Sequence, residues 1–337
     1  MKSSKHSKRI AAFASSLAAV LFIALGIFSF LNWQAIYDTI KAAAYKPSVE
    51  VAAIERNVVF TSAGTRIFHA TQPRVVDAGE FNNSCPRQEA ASAIVGCYTP
   101  NDEVFIYNVT NEKLNGIEDV TAVHEFLHAA WRRMGSAEQQ KIGAELQAVY
   151  QEKADAKLKE RMAYYERTEK GQEINELHSI LGTEMAGLSP ELEAHYARYF
   201  SREKVVQLYD SYQHQYELLE TKAKDLQGEM KQLADSITSR TNTYNTEVAN
   251  METVIATFNS RARNQGFSSQ AQFDAERGQL IRRINALDAS RDSINQSIEH
   301  YNELRTDYQR IASEIQALNN SLDSFKALER PSGVQQI

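Results

Sequence analysis

The chain is poor in the residues that punctuate or staple a fold: its 337 residues include six prolines, 14 glycines and two cysteines. So little Gly and Pro excludes a collagenous or Gly/Pro-rich disordered chain, and two Cys exclude a cysteine-rich zinc cluster and a disulfide scaffold. A basic excess is also missing. Lys and Arg number 37 against 43 Asp and Glu, a net charge of −6, so there is no global electrostatic ground for binding nucleic acid and no such partner is expected. Apolar residues are plentiful, at 43%. With this length they suffice for about two domains with sizeable cores.

Residues 10–31 carry no charge and consist of Ala, Leu, Ile, Phe, Val, Ser and one Gly. At ~1.5 Å per residue such a run covers a hydrocarbon core of ~30 Å, and Trp33 stands at the interface position. Lys2, Lys5, Lys8 and Arg9 precede it. The positive-inside rule therefore predicts a cytoplasmic tail over 1–9, a transmembrane signal anchor over 10–32 and an extracytoplasmic remainder, that is, a single-pass cell-membrane protein. A cleaved signal peptide is the rival, but its apolar region is typically only ~7–15 residues. Cys85 and Cys97 flank a short loop and are a candidate disulfide, contributing ~2–3 kcal/mol in an oxidising compartment; two buried free thiols are the alternative.

Residues 33–50 read as a juxtamembrane linker. Beyond them, runs of β-branched and aromatic residues at 58–61, 66–70 and 104–109, separated by Gly64, Pro73, Gly79 and Pro100, read as strands. Helical periodicity follows over 118–134, with Val120, Val123, Leu127, Ala130 and Trp131 on one side and Gly135 as a stop. From Val205 to Phe258 apolar residues alternate four and three apart, with a polar step at Thr241. The pattern breaks at 264–269 and resumes from Leu280 to Phe325. Two heptad helices joined by a short turn predict an antiparallel coiled-coil hairpin over 203–330, a rod of about 90 Å that could self-associate or dock a coiled-coil partner. The expected fold class is α+β: a domain over 51–202 with a small mixed sheet, one membrane helix before it and the hairpin after it.

The sharpest chemical signal is His124-Glu125-Phe126-Leu127-His128, an H-E-x-x-H pentapeptide. Positions i and i+4 share one helical face, so both imidazoles can reach a single Zn²⁺ at ~2.0–2.1 Å. Glu125 then stands beside the metal's water as a general base. A third ligand is required. The metzincin pattern would place Gly and His at short spacing, where this chain has Trp131 and Met134, so the ligand must come from a later helix.

The stretch Asn175-Glu176-Leu177-His178-Ser179 supplies one. Here the chain resembles the gluzincin metallopeptidases, in which a ligating Glu on a following helix often has a small residue three positions on, as Glu176 has Ser179. The resemblance covers residues 51–200 and implies a zincin-like domain in which His124, His128 and Glu176 bind zinc and Glu125 is the catalytic base. Ile180 stands where the thermolysin-like branch has an Asp, and Glu173, Glu184 and His178 are rival ligands. Glu184 is also a candidate partner for the outer N–H of a ligand histidine. Residues 102–109 are, by resemblance, the edge strand that pairs with extended substrate. Tyr98, Tyr165, His195, Tyr196 and Tyr199 are candidates for transition-state stabilisation.

These readings converge on a membrane-anchored zinc endopeptidase acting on protein or peptide outside the membrane. The alternatives are a non-catalytic scaffold working through the coiled coil, and a zinc amidase acting on cell-wall peptide.

Overall fold

The computed structural model describes residues 22–24, 26–30, 32–86 and 93–329. Helices Trp33–Ala44 (α1), Val49–Val58 (α2) and Ser62–Ala70 (α3) lead into strand Arg74–Val76 (β1), helix Ala78–Ser84 (α4) and strands Gly96–Tyr98 (β2) and Val104–Tyr107 (β3). Helices Ile117–Arg132 (α5), Ser136–Lys153 (α6), Ala156–Thr168 (α7), Glu173–Glu184 (α8) and Pro190–Tyr196 (α9) follow. The chain continues through Arg202–Arg263 (α10), Gln270–Leu322 (α11) and Ser324–Glu329 (α12). Many starts have one local cause. Ser48, Thr61, Asp77, Asp155 and Ser189 each accept a hydrogen bond from the backbone N–H three residues on, satisfying a donor that a helix start leaves unpaired.

Among the described residues helix accounts for 79%, and the sheet is confined to three short strands. The expected α+β zincin-like fold is therefore corrected to a predominantly helical one. Residues 58–61 close α2 and cap α3, and 66–70 lie inside α3, where Ile67, Phe68 and Ala70 are buried. Phe60 makes only an isolated bridge to Phe200. The runs at 58–61 and 66–70 thus belong to short capped helices, whereas the run at 104–109 holds the strand Val104–Tyr107 as expected.

The membrane assignment is corrected as well. Among the described residues no helix is long and apolar enough to cross a membrane, against the single-pass signal anchor over 10–32 and the cell-membrane localisation resting on it. Residues 10–21, 25 and 31 of that segment lie outside the described residues. The helix that begins at Trp33 carries Asp38 and Lys41 and packs on α3. Asp38 is buried and bonded to Arg133.

In the sheet β3 is central, parallel to β1 (Val75 opposite Ile106) and antiparallel to β2 (Cys97 opposite Phe105). Both edges of β3 are occupied, so the expected edge strand over 102–109 is instead an inner strand. β1 and β2 are the edge strands. A disulfide joins Cys97 on β2 to Cys85 after α4, with 5.8 Å between the Cα atoms. Around it, Phe81, Phe105 and Tyr107 form a small core, while the main core gathers on α5, from Val123, Phe126 and Leu127 to Leu181 and Tyr196.

The described residues form two compact units, one holding those up to 214 and from 318 onward, the other holding 215–317. In the second unit Arg261 pairs with Glu276, Glu247 with Arg283, Arg240 with Ser293 and Ser297, and Glu229 with His300. Partners move back along one helix as they advance along the other, so the two helices run antiparallel. Met251, Ile294, Leu304 and Ile311 are buried there.

Candidate metal centre

Two helices of the first unit build the site. His124 and His128 lie one turn apart on α5 with ring centroids 5.0 Å apart, and α8 supplies Glu176. The close approach of these helices rests on Gly182. A Cβ there would fall 2.6 Å from Leu127 Cδ1 and 2.7 Å from the Tyr196 ring, so any larger residue would push α8 away from α5.

Glu176 is buried, with Oε2 3.5 Å from His124 Nε2 and Oε1 3.4 Å from His128 Nε2. One ligand atom from each residue lies within 4.8 Å of the other two. This cluster could hold a metal ion, and two imidazoles with one carboxylate are a donor set that leaves a coordination position open. The outer contacts also fit. Asn175 donates through Nδ2 to Gln172 Oε1 (3.1 Å), which turns its Oδ1 toward His128 Nδ1 at 3.1 Å. An amide oxygen only accepts, so Nδ1 bears the proton and Nε2 keeps its lone pair for the metal position. Ser179 Oγ lies 3.4 Å from the same nitrogen.

Electrostatics favour a neutral His128 beside a charged Glu176. Burial holds His128 below its ordinary value. At His124 burial acts the same way but is outweighed by the hydrogen bond to Glu176 and by the charges of Glu125 and Glu176, which raise it. Despite burial, the two histidines and a hydrogen bond from Tyr165 hold Glu176 below the usual carboxylate range. Glu125 is pushed up to about 7, by burial first and by the charge of Glu176 second. The backbone amide of Tyr98 on β2 hydrogen-bonds this carboxylate.

The other sequence candidates fall elsewhere. Glu173 accepts the Gly171 N–H at 2.9 Å on the exposed start of α8. Glu184 is bound by Arg161 at 2.6 Å and by the Tyr209 hydroxyl, not by a ligand ring. His178 is fully buried, with Nε2 2.9 Å from His195 Nε2. The Tyr196 hydroxyl donates to the His178 carbonyl, and Tyr199 packs against His195. Tyr98 and Tyr165, by contrast, line a cleft of about 1810 Å³ together with His124, Glu125, His128 and Glu176.

Four contributors went unread in the sequence: Asn175, the carboxyl of Glu169 hydrogen-bonded to Glu176, Gly96, and Gly182. For Asn175 a signal existed, because Asn175 and Ser179 are one helical turn apart and flank Glu176. Comparison with known proteins returned no matching family model, no matching curated protein and no matching solved structure.

Proposed function

We propose that the protein is a zinc-dependent endopeptidase with gluzincin-like metal chemistry, in which His124, His128 and Glu176 hold zinc and Glu125 is the general base. The observation that carries this reading is the meeting of three ligand atoms with a buried fourth side chain, Glu125, at the wall of one large cleft. Zinc held by these residues would supply Lewis acidity, making a water acidic enough to give up a proton near neutral pH and polarising the amide carbonyl. Glu125 takes the proton of the attacking water on its carboxylate and hands it to the leaving amine nitrogen. Asn175 keeps His128 in its ligating tautomer. Tyr165, which lines the cleft beside Glu176, is our choice among the cleft tyrosines for the carbonyl oxygen as its charge develops.

The test is metal content together with cleavage of an unstructured peptide library by the zinc-loaded full chain. Glu176→Ala is expected to lose zinc. Glu125→Gln is expected to keep it and to cleave ~10²–10⁴-fold more slowly. Equal zinc retention by both variants would remove Glu176 from the ligand set, and an inert zinc-loaded wild type would overturn the hydrolase.

A further inference from the structure

The Glu125 carboxylate lies against β2, and two features of that strand define its seat. The first is the pairing phase. Val95 accepts from the Tyr107 N–H, and Thr99 donates to the Glu103 carbonyl, so odd-numbered residues turn their main chain toward β3. Gly96 and Tyr98 turn theirs to the free edge. The Tyr98 N–H there is the one that bonds Glu125. The second is space. A Cβ on Gly96 would lie 2.9 Å from both Cγ and Oε1 of Glu125, and 2.4 Å from Cγ2 of Thr121. Between these two residues stands Cys97, tied to the fully buried Cys85. β2 is only three residues long and paired on one side, so the disulfide is the covalent part of its fixation.

We infer that β2 is the positioning element for the general base: the Tyr98 amide aims the Glu125 carboxylate, Gly96 makes room for it, and the Cys85–Cys97 disulfide holds both in place. Gly96, Tyr98 and Cys97 are positioning residues and touch no reacting atom in this role. The inference rests on the peptidase reading for its catalytic consequence and not for its geometry.

Gly96→Ala should leave zinc content and KM within twofold of wild type and lower kcat by ~10²-fold, the penalty of a misplacement of about 1 Å. Adding Thr121→Ser removes the Cγ2 collision but not the one with Glu125. Turnover should therefore stay low in the double variant, and recovery to wild type would overturn the inference by making Gly96 a mere spacer between strand and helix. The joint variant Cys85→Ser with Cys97→Ser should likewise retain zinc and lose kcat; unchanged kcat would overturn the disulfide's part. A readout independent of hydrolysis is amide exchange by NMR on the metal-free chain. Glu125→Ala should accelerate exchange at Tyr98 at least tenfold while Thr99, bonded to β3, keeps its protection. Unchanged Tyr98 exchange would overturn the inference, whereas accelerated exchange in a chain that cleaves nothing would sink the peptidase and leave the strand's role intact.

Discussion

Replacing Arg133 with Met should destabilise the first unit by about 4 kcal/mol at neutral pH. The guanidinium follows the last turn of α5 and reaches two carboxylates, Asp38 on α1 at 2.9 and 2.8 Å and Asp102 in the β2–β3 turn at 2.9 and 2.8 Å. Arg133, Asp38 and Asp102 side chains are only 8%, 5% and 11% exposed, so water cannot replace the lost partner. Summing four charge-assisted bonds at ~1.5–3 kcal/mol each would overshoot, because the stranded side chains relax. Breaking a buried pair typically costs 3–5 kcal/mol, which sets the figure. The pH dependence has a definite sign. Although burial opposes it, Arg133 holds the Asp102 carboxyl below its ordinary 3.8, so this stabilisation is present above that pH and fades as pH falls through the lower folded value. With Arg133 gone, burial, the largest influence on Asp102, raises it above 3.8, and the gap from wild type should narrow in acid. Urea unfolding followed by fluorescence reads the right unit, since both tryptophans, Trp33 and Trp131, belong to it. A loss under 1 kcal/mol, or one that does not change between pH 7 and pH 4, would refute the reasoning. Adding Asp38→Leu and Asp102→Asn should recover most of the loss, Asn being chosen because residue 102 has φ of +63°.

Two further outcomes test the site and its supporting helix. Asp119, in the first turn of α5, is raised to about 6 by burial, against which its Asn57 hydrogen bonds work. Between its ordinary 3.8 and about 6 the folded chain binds more protons than the unfolded one, so this group subtracts stability as pH rises, by at most ~3 kcal/mol. Asp119→Asn should therefore raise the melting temperature at pH 8 and leave it unchanged near pH 4; a lower melting temperature at pH 8 would contradict the burial argument. Asn175→Ala should weaken zinc binding ~10–100-fold in a chelator competition, as expected for loss of a partner that orients a ligand ring. An unchanged affinity would show that Ser179 alone orients His128.

The parts of the site that follow from helical phase were legible in the sequence. The spacing of His124 and His128 needs only a helix, and the helix was announced by its apolar face and by Gly135. Glu176 could be reached from residue type and neighbours, but its separation from Glu173, Glu184 and His178 was decided by partners that no local pattern specifies: a backbone amide for Glu173, Arg161 for Glu184, His195 for His178. Two of the three expected strands prove helical for a related reason, while the third, at 104–109, holds β3. Short apolar runs such as 66–70 fit a strand or one face of a short helix equally well, and it is the caps, Ser48 and Thr61, that decide between them. Gly96 carried no signal at all, because what it makes room for is 29 positions further along the chain and meets it only once β2 and α5 pack together.

The tip of the helical hairpin has a consequence for how the second unit is assembled. Phe258, Phe267 and Phe273 meet with centroids 5.2 Å apart in every pair, Arg261 caps the Phe267 ring at 4.3 Å, and its guanidinium crosses to Glu276. The Arg261 to Glu276 contact closes a loop of 15 residues, whereas the Arg240 to Ser297 contact must close one of 57. Loop entropy alone favours starting at the tip by about 1 kcal/mol. Zippering from the turn toward the open ends is thus the cheapest folding route for this hairpin, with each new cross-pair shortening the search for the next.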